Sequence, residues 1–237
     1  MGHLLGKLKL LAKVALGTEF LVKPDVARAT ERFGSEYGGW QVITSGIDRN
    51  SIVYSFGVGE DASFDIGLIE RFDLTVFAFD PTPRSIQWVA TQKLPESFVM
   101  HPFGIAAFDG DVKFNPPDNP EFVSHTVLDR PSTEEQAITV PVRRLSTILQ
   151  ELGHDRIDIL KMDIEGAEYD VLDEMKENDI RPNQILIEFH HRFQNVGVEK
   201  SKSAIEQIRS MGYDLFAVSS SNEEFCFARR ATLGEWL

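Results

Sequence analysis

The chain has 237 residues, 42% of them apolar, with one Cys and 24 Lys+Arg against 37 Asp+Glu. This size and composition support one sizeable core and exclude disordered, collagenous and disulfide-stapled chains. A formal charge of -13 repels phosphate backbones, so no nucleic acid is expected as a partner, and the lone Cys226 fits a reducing, cytoplasmic setting.

The N-terminal stretch departs from the acidic mean, with Lys7, Lys9, Lys13, Lys23 and Arg28 against Glu19 and Asp25. Leu4, Leu5, Leu8, Leu11, Ala12, Ala15 and Leu16 share one helical arc with the lysines opposite. This pattern predicts an amphipathic helical extension over residues 1 to 30 that docks on a domain of residues 31 to 237 or makes weak contact with an anionic membrane surface. Lys13 interrupts a stretch already too short for a secretory signal, and no run reaches the roughly 18 apolar residues of a transmembrane segment.

Beyond it, short apolar runs at Ser51 to Phe56, Thr75 to Phe79, Ile157 to Met162 and Gln184 to Phe189 predict buried strands. Helical patterns fall at Phe64 to Arg71, Ser85 to Gln92, Arg144 to Leu152 and Glu168 to Glu177. Strands alternating with helices imply an α/β fold, with a mainly parallel sheet covered on both faces. Residues 111 to 136, with Pro116, Pro117, Pro120 and Pro131, predict a long loop or insertion, expected to govern substrate access. Tyr213 to Val218 and Glu224 to Ala228 predict an antiparallel hairpin.

Ligands of such sheets bind beyond the carboxyl ends of the strands. The first strand runs into Ser55-Phe56-Gly57-Val58-Gly59-Glu60-Asp61, where Gly57 and Gly59 allow a tight turn and close approach of backbone to a ligand. A dinucleotide site wants a third glycine and no acid beside its pyrophosphate, so Glu60 and Asp61 argue against a nicotinamide oxidoreductase and suit a positively charged nucleoside ligand such as S-adenosylmethionine. Asp80, at the tip of the next strand, is placed to accept hydrogen bonds from ribose hydroxyls, or else to cap the helix that follows.

From about Gly39 to Phe227 the chain resembles the S-adenosylmethionine-dependent methyltransferases of the FkbM type. The resemblance rests on the glycine turn, on Ala78-Phe79-Asp80-Pro81-Thr82-Pro83, on Leu160-Lys161-Met162-Asp163-Ile164-Glu165-Gly166-Ala167-Glu168, and on Glu188-Phe189-His190. It implies a Rossmann-like class I methyltransferase fold with seven strands, the last hairpin supplying the antiparallel one. It also implies S-adenosylmethionine as cofactor, held by Ser55, Gly57, Gly59, Glu60, Asp61 and Asp80, and places Asp163 and Glu165 at the methyl-transfer site. Ser55 stands where many methyltransferases carry an acid, and Asp61 where many carry the third glycine; Glu60 or Asp61 is expected to compensate the ligand's charge.

Glu188, His190 and His191 lie at the end of the strand Gln184 to Phe189, and alternation lets only one of the two histidines enter the cleft. His190, with an unperturbed pKa near 6.5, is the candidate base, beside Asp163, Glu165 and Glu188 as further catalytic residues. Binding of a divalent metal by these four is the alternative; no close ligand spacing supports it, and no metal is assigned. The expected activity is transfer of a methyl group to a hydroxyl, with the resemblance suggesting glycans or small natural products as acceptors. A noncatalytic nucleoside-binding or partner-binding module on the same fold is the other reading.

Overall fold

The computed structural model describes residues 13–115, 137–193 and 195–233. Its centre is a seven-stranded sheet in the order β5-β4-β3-β9-β10-β12-β11, built from β3 (Ile52–Phe56), β4 (Thr75–Phe79), β5 (Phe98–His101), β9 (Ile159–Met162), β10 (Gln184–Glu188), β11 (Tyr213–Val218) and β12 (Glu224–Arg229). Neighbours from β5 to β10 pair in parallel, while β12 runs antiparallel to both β10 and β11. The tail hairpin therefore inserts its second strand beside β10 and leaves its first at the sheet edge.

Side-chain alternation divides the core into two layers. Tyr54, Phe56, Phe79, Leu160 and Met162 pack on one face, and Val53, Val76, Ala78, Ile159 and Leu186 on the other. Burial on both faces is why these strands read as continuous apolar runs. The helices α1 (Ser63–Phe72), α2 (Pro83–Thr91), α3 (Leu145–Leu152), α4 (Glu168–Glu177) and α5 (Val198–Ser210) cover the faces, and α6 (Arg230–Leu233) follows β12. No helix among the described residues is long and apolar enough to cross a membrane.

Two small sheets complete the fold. β1 (Glu31–Phe33) and β2 (Trp40–Val42) form a hairpin, and the strands β6 (Gly104–Ile105), β7 (Gly110–Phe114) and β8 (Ile138–Arg143) form a sheet in the order β6-β8-β7. The segment 111 to 136, expected to be irregular throughout, thus opens with a strand, Asp111 facing Pro141 and Phe114 facing Ile138. Its residues 116 to 136 lie outside the described residues. Pro141 is tolerated in β8 because β6 reaches only Val142 and Arg143, so the missing N–H falls where β8 has no second neighbour.

The arc Leu4 to Ala12 lies outside the described residues, and residues 13 to 15 are helical. The boundary expected at residue 30 is displaced, because residues 19 to 26 are built into the domain. Phe20 is buried in the main core, its ring stacked on Phe225 at 5.9 Å and edge-on to His191 at 5.1 Å. Asp25 accepts from the Arg209 guanidinium at 2.7 and 3.0 Å and from the Leu215 amide at 2.9 Å. Burial alone would raise the Glu19 carboxyl, but hydrogen bonds from Arg192, His191 and Asn222 hold it below its ordinary range. A depressed pKa means that the ionised form is the one the fold favours, so this contribution is present above pH 4.5 and lost as pH falls through the folded value. Phe20→Ala is expected to cost about 3 kcal/mol, and Glu19→Gln about 1–3 kcal/mol at pH 7 with a flattened acid limb, both read from thermal melts.

Candidate active site

The carboxyl ends of β3, β4, β9 and β10 open into one cleft of about 970 Å³. Its floor is the glycine turn. Gly57 has φ +84°, and a Cβ there would lie 1.9 Å from the Asp163 carbonyl oxygen, so the residue after β3 has to be glycine for the loop after β9 to close against it. Gly59 also takes a left-handed φ, 57°. Lys161, buried on β9, donates to the carbonyls of Phe56 and Gly57 at 3.2 and 2.5 Å and ties the two loops together.

Asp80 lines the cleft, but its carboxylate is already engaged. Oδ2 accepts from the Val58 and Gly59 amides at 3.1 and 3.0 Å, and Oδ1 from the Thr82 amide and hydroxyl at 2.9 and 2.7 Å. Four donors fill the roughly four acceptor positions of a carboxylate, so Asp80 is in the first place the brace of the glycine turn. The two acids after Gly59 are likewise turned to the protein. Glu60 pairs with Arg84 at 3.0 and 2.9 Å, which lowers its pKa. Burial works to raise Asp61, yet hydrogen bonds from Ser35 at 2.6 Å and the Ser63 amide at 2.8 Å hold it below its usual range. Arg84 thus answers the charge of Glu60, whereas the partners of Asp61 are neutral and leave its negative charge at the cleft wall.

Ser55 does not line the cleft. It lies beneath it, in register with Lys161, on the same side as Asp65 of α1. Burial pushes the Asp65 carboxyl up to about 6, against the pull of Lys161 and of the neighbouring Ser55 hydroxyl. Asp65 lines the cleft. Its signal in the sequence was present but weak: one polar residue on the otherwise apolar buried face of α1, beside Phe64, Leu68 and Ile69.

Opposite the glycine turn, Asp163, Glu165, Glu188 and His190 converge. His190 Nε2 has carboxylate oxygens of Glu165, Asp163 and Glu188 at 3.4, 3.8 and 3.9 Å. Its Nδ1 lies 2.8 Å from Oε1 of the fully buried Glu168, whose carboxylate also accepts from the Ile164 and Gly166 amides. Glu168, which the sequence showed only as the end of the motif Leu160 to Glu168, therefore fixes both the ring and the loop. Glu165 has φ 54° and Gly166 φ 106°, two left-handed residues in succession, a conformation of the kind that clusters at functional sites. Burial opposes a proton on His190, but Glu168, Glu165 and Asp163 raise its pKa well above the ordinary value. Burial and then Asp163 push the Glu188 carboxyl up. The acids around His190 thus favour its protonated form, in place of the unperturbed imidazole expected from the sequence. His191 turns away, its Nε2 3.0 Å from Glu19.

The strand order, with the antiparallel strand second from one edge and a cleft at the parallel carboxyl ends, defines a Rossmann-like class I methyltransferase fold. The chain belongs to the FkbM methyltransferase family: the family model described as Methyltransferase FkbM domain matches residues 48–215. It is 27% identical over 187 residues to the Probable methyltransferase-like protein 24 of Rattus norvegicus, covering 78% of this chain and 43% of that protein. The Homo sapiens protein of the same name is 27% identical over 156 residues, 65% of this chain and 36% of that one. The chain thus spans less than half the length of these curated relatives. Among solved structures, the FkbM methyltransferase of Methylobacillus flagellatus matches with TM-score 0.47 and 16% identity over 76% of this chain and 44% of that one. The fibrillarin of Methanococcus jannaschii matches with TM-score 0.45 and 11% identity, covering 88% and 86%.

Proposed function

We propose that this chain transfers a methyl group from S-adenosylmethionine to a hydroxyl of a glycan or small natural product. The observation that carries the reading is the cleft itself: a backbone turn braced by Asp80 on one side, and on the other a wall of Asp163, Glu165 and Glu188. Burial drives the Glu188 carboxyl towards its neutral form, so it is Asp163 and Glu165 whose charge disfavours a pyrophosphate and suits a cationic ligand. The buried Asp65 carboxyl at the cleft wall supports the same ligand charge. Gly57, Gly59 and Asp65 would hold the cofactor, which when bound supplies an activated methyl group for in-line displacement.

The chain's own residues supply alignment, exclusion of water and management of one proton. Positive charge entering the cleft offsets the acids around His190 and weakens the ring's hold on its proton, which favours Nε2 as the acceptor once the cleft is filled. His190→Ala is expected to spare affinity for S-adenosylhomocysteine and to reduce turnover by roughly 10²–10⁴ fold. Calorimetry with S-adenosylhomocysteine and NAD should show binding of the former alone, followed by a labelled-methyl transfer screen against hydroxyl-bearing glycans and metabolites. Tight cofactor binding with no transfer to any acceptor would favour the noncatalytic module, and binding of NAD alone would overturn the reading.

A further inference from the structure

We propose that His190 Nε2, Asp163 and Glu165 form a divalent-cation site at the head of the cleft. One ligand atom from each of the three lies within 4.8 Å of the other two. Asp163 and Glu165 retain 34% and 17% side-chain exposure, so modest rotations can bring their oxygens to the roughly 2.0–2.2 Å of a metal bond.

Acidic clusters are common on protein surfaces, and the histidine sets this one apart. His190 is more than nine-tenths buried, and its Nε2 is aimed at three carboxylates without an aligned hydrogen bond to any of them. On the other side of the ring, Nδ1 is anchored by Glu168, which has no exposure at all. A carboxylate behind an imidazole is the arrangement that orients metal-ligating histidines, so that the far nitrogen presents its lone pair once the cation has displaced its proton. The same Glu168 takes the amides of Ile164 and Gly166, so one buried side chain positions the loop bearing two ligands and the ring bearing the third. Asp163, Glu165 and Glu168 surround this single imidazole, and even with the ring protonated these three carboxylates outnumber it; two positive charges answer that imbalance better than one.

Two carboxylates and one imidazole select a hard to intermediate ion, Mn²⁺ ahead of Mg²⁺ because of the nitrogen donor. Three protein ligands leave coordination positions open towards the cleft. With the ion on Nε2 that nitrogen is a ligand and no longer the proton acceptor; an acceptor hydroxyl then binds the ion through oxygen and releases its proton to solvent, which yields the nucleophile at neutral pH. That catalytic role rests on the methyl-transfer reading; the cation site does not.

The test is titration of Mn²⁺ into the whole chain, with the free ion followed by electron paramagnetic resonance and S-adenosylhomocysteine affinity measured on the same samples by calorimetry. Saturation at one ion per chain is expected, with a dissociation constant below roughly 0.1 mM. Asp163→Asn and Glu165→Gln, both partly exposed and so compatible with folding, are expected to weaken Mn²⁺ binding at least about 10-fold, and Glu168→Gln by roughly 10–100-fold. Glu177→Gln, at the far end of α4, should leave it unchanged. Absence of saturable binding below about 1 mM, or equal affinity in wild type, Asp163→Asn and Glu165→Gln, overturns the site. Failure of S-adenosylhomocysteine to bind would count against the cofactor reading, while the Mn²⁺ isotherm decides the cation site by itself.

Discussion

Gly57→Ala is expected to be severely damaging, although it adds a single carbon. The added carbon would meet the Asp163 carbonyl oxygen at 1.9 Å, and the backbone atom it meets cannot rotate away as a side chain would. Strain at φ +84° adds to the overlap. Together they should cost about 3–5 kcal/mol, a fall in Tm of roughly 10 °C or more, with loss of S-adenosylhomocysteine binding because β3 and the loop after β9 are pushed apart. A variant that melts within about 2 °C of wild type and still binds would show that the contact between the two loops is dispensable.

Asp80→Ala separates a brace from a ligand contact. A carboxylate serving only ribose hydroxyls would leave the unliganded protein as stable as before. The structure gives it four protein donors instead, so its removal strands the Val58 and Gly59 amides and the Thr82 pair. Each buried donor left unsatisfied costs about 1–3 kcal/mol, so a combined loss of about 3–6 kcal/mol is expected in the unliganded protein, together with a cofactor affinity reduced more than about 10-fold. Asp80→Asn keeps one carbonyl acceptor and should fall between the two. An unchanged melt for Asp80→Ala would return the residue to a purely ligand-binding role.

Strands β3, β4, β9 and β10 were legible because a parallel strand buried on both faces leaves an uninterrupted apolar run, and the turn at Gly57 and Gly59 because only glycine takes those angles cheaply. The tail hairpin was legible from its short link. β5, only four residues long, entered solely through the resemblance to seven-stranded methyltransferases, and β8 was hidden by Pro141. α5 escaped notice because its buried stripe is narrow and Ser201 stands in it, where the hydroxyl meets Tyr169 at 2.7 Å.

At the site, spacing located the residues but not their partners. The convergence of Asp163, Glu165, Glu188 and His190 follows from β9 and β10 being neighbours with matched ends, Ile187 opposite Met162. That Asp80, Glu60 and Asp61 are consumed by Val58, Gly59, Arg84, Ser35 and Ser63 depends on side-chain rotamers and on a loop some 25 residues upstream, which no local pattern encodes. The raised proton affinity of His190 was invisible for the same reason, since the identity of its neighbours, more than its own position, sets it.

The clasp between Glu19 and the far end of the chain has a consequence for how the site comes into being during synthesis. Asn222 donates to the carboxylate of Glu19 and to the carbonyl of Phe20, and Arg192 bridges Glu19 to Glu223 and the Ser221 carbonyl. A contact between residues 203 positions apart cannot form while the intervening chain is still on the ribosome. The segment 189 to 193, which carries His190, is held by that clasp on one side and by the Glu223 carbonyl bonded to the Phe189 amide on the other. A nascent chain halted before residue 222 can therefore assemble the glycine turn, yet it leaves the histidine without its frame. Contacts of such long range also slow folding, so the chemical half of the cleft is expected to mature last, after the half that grips the cofactor.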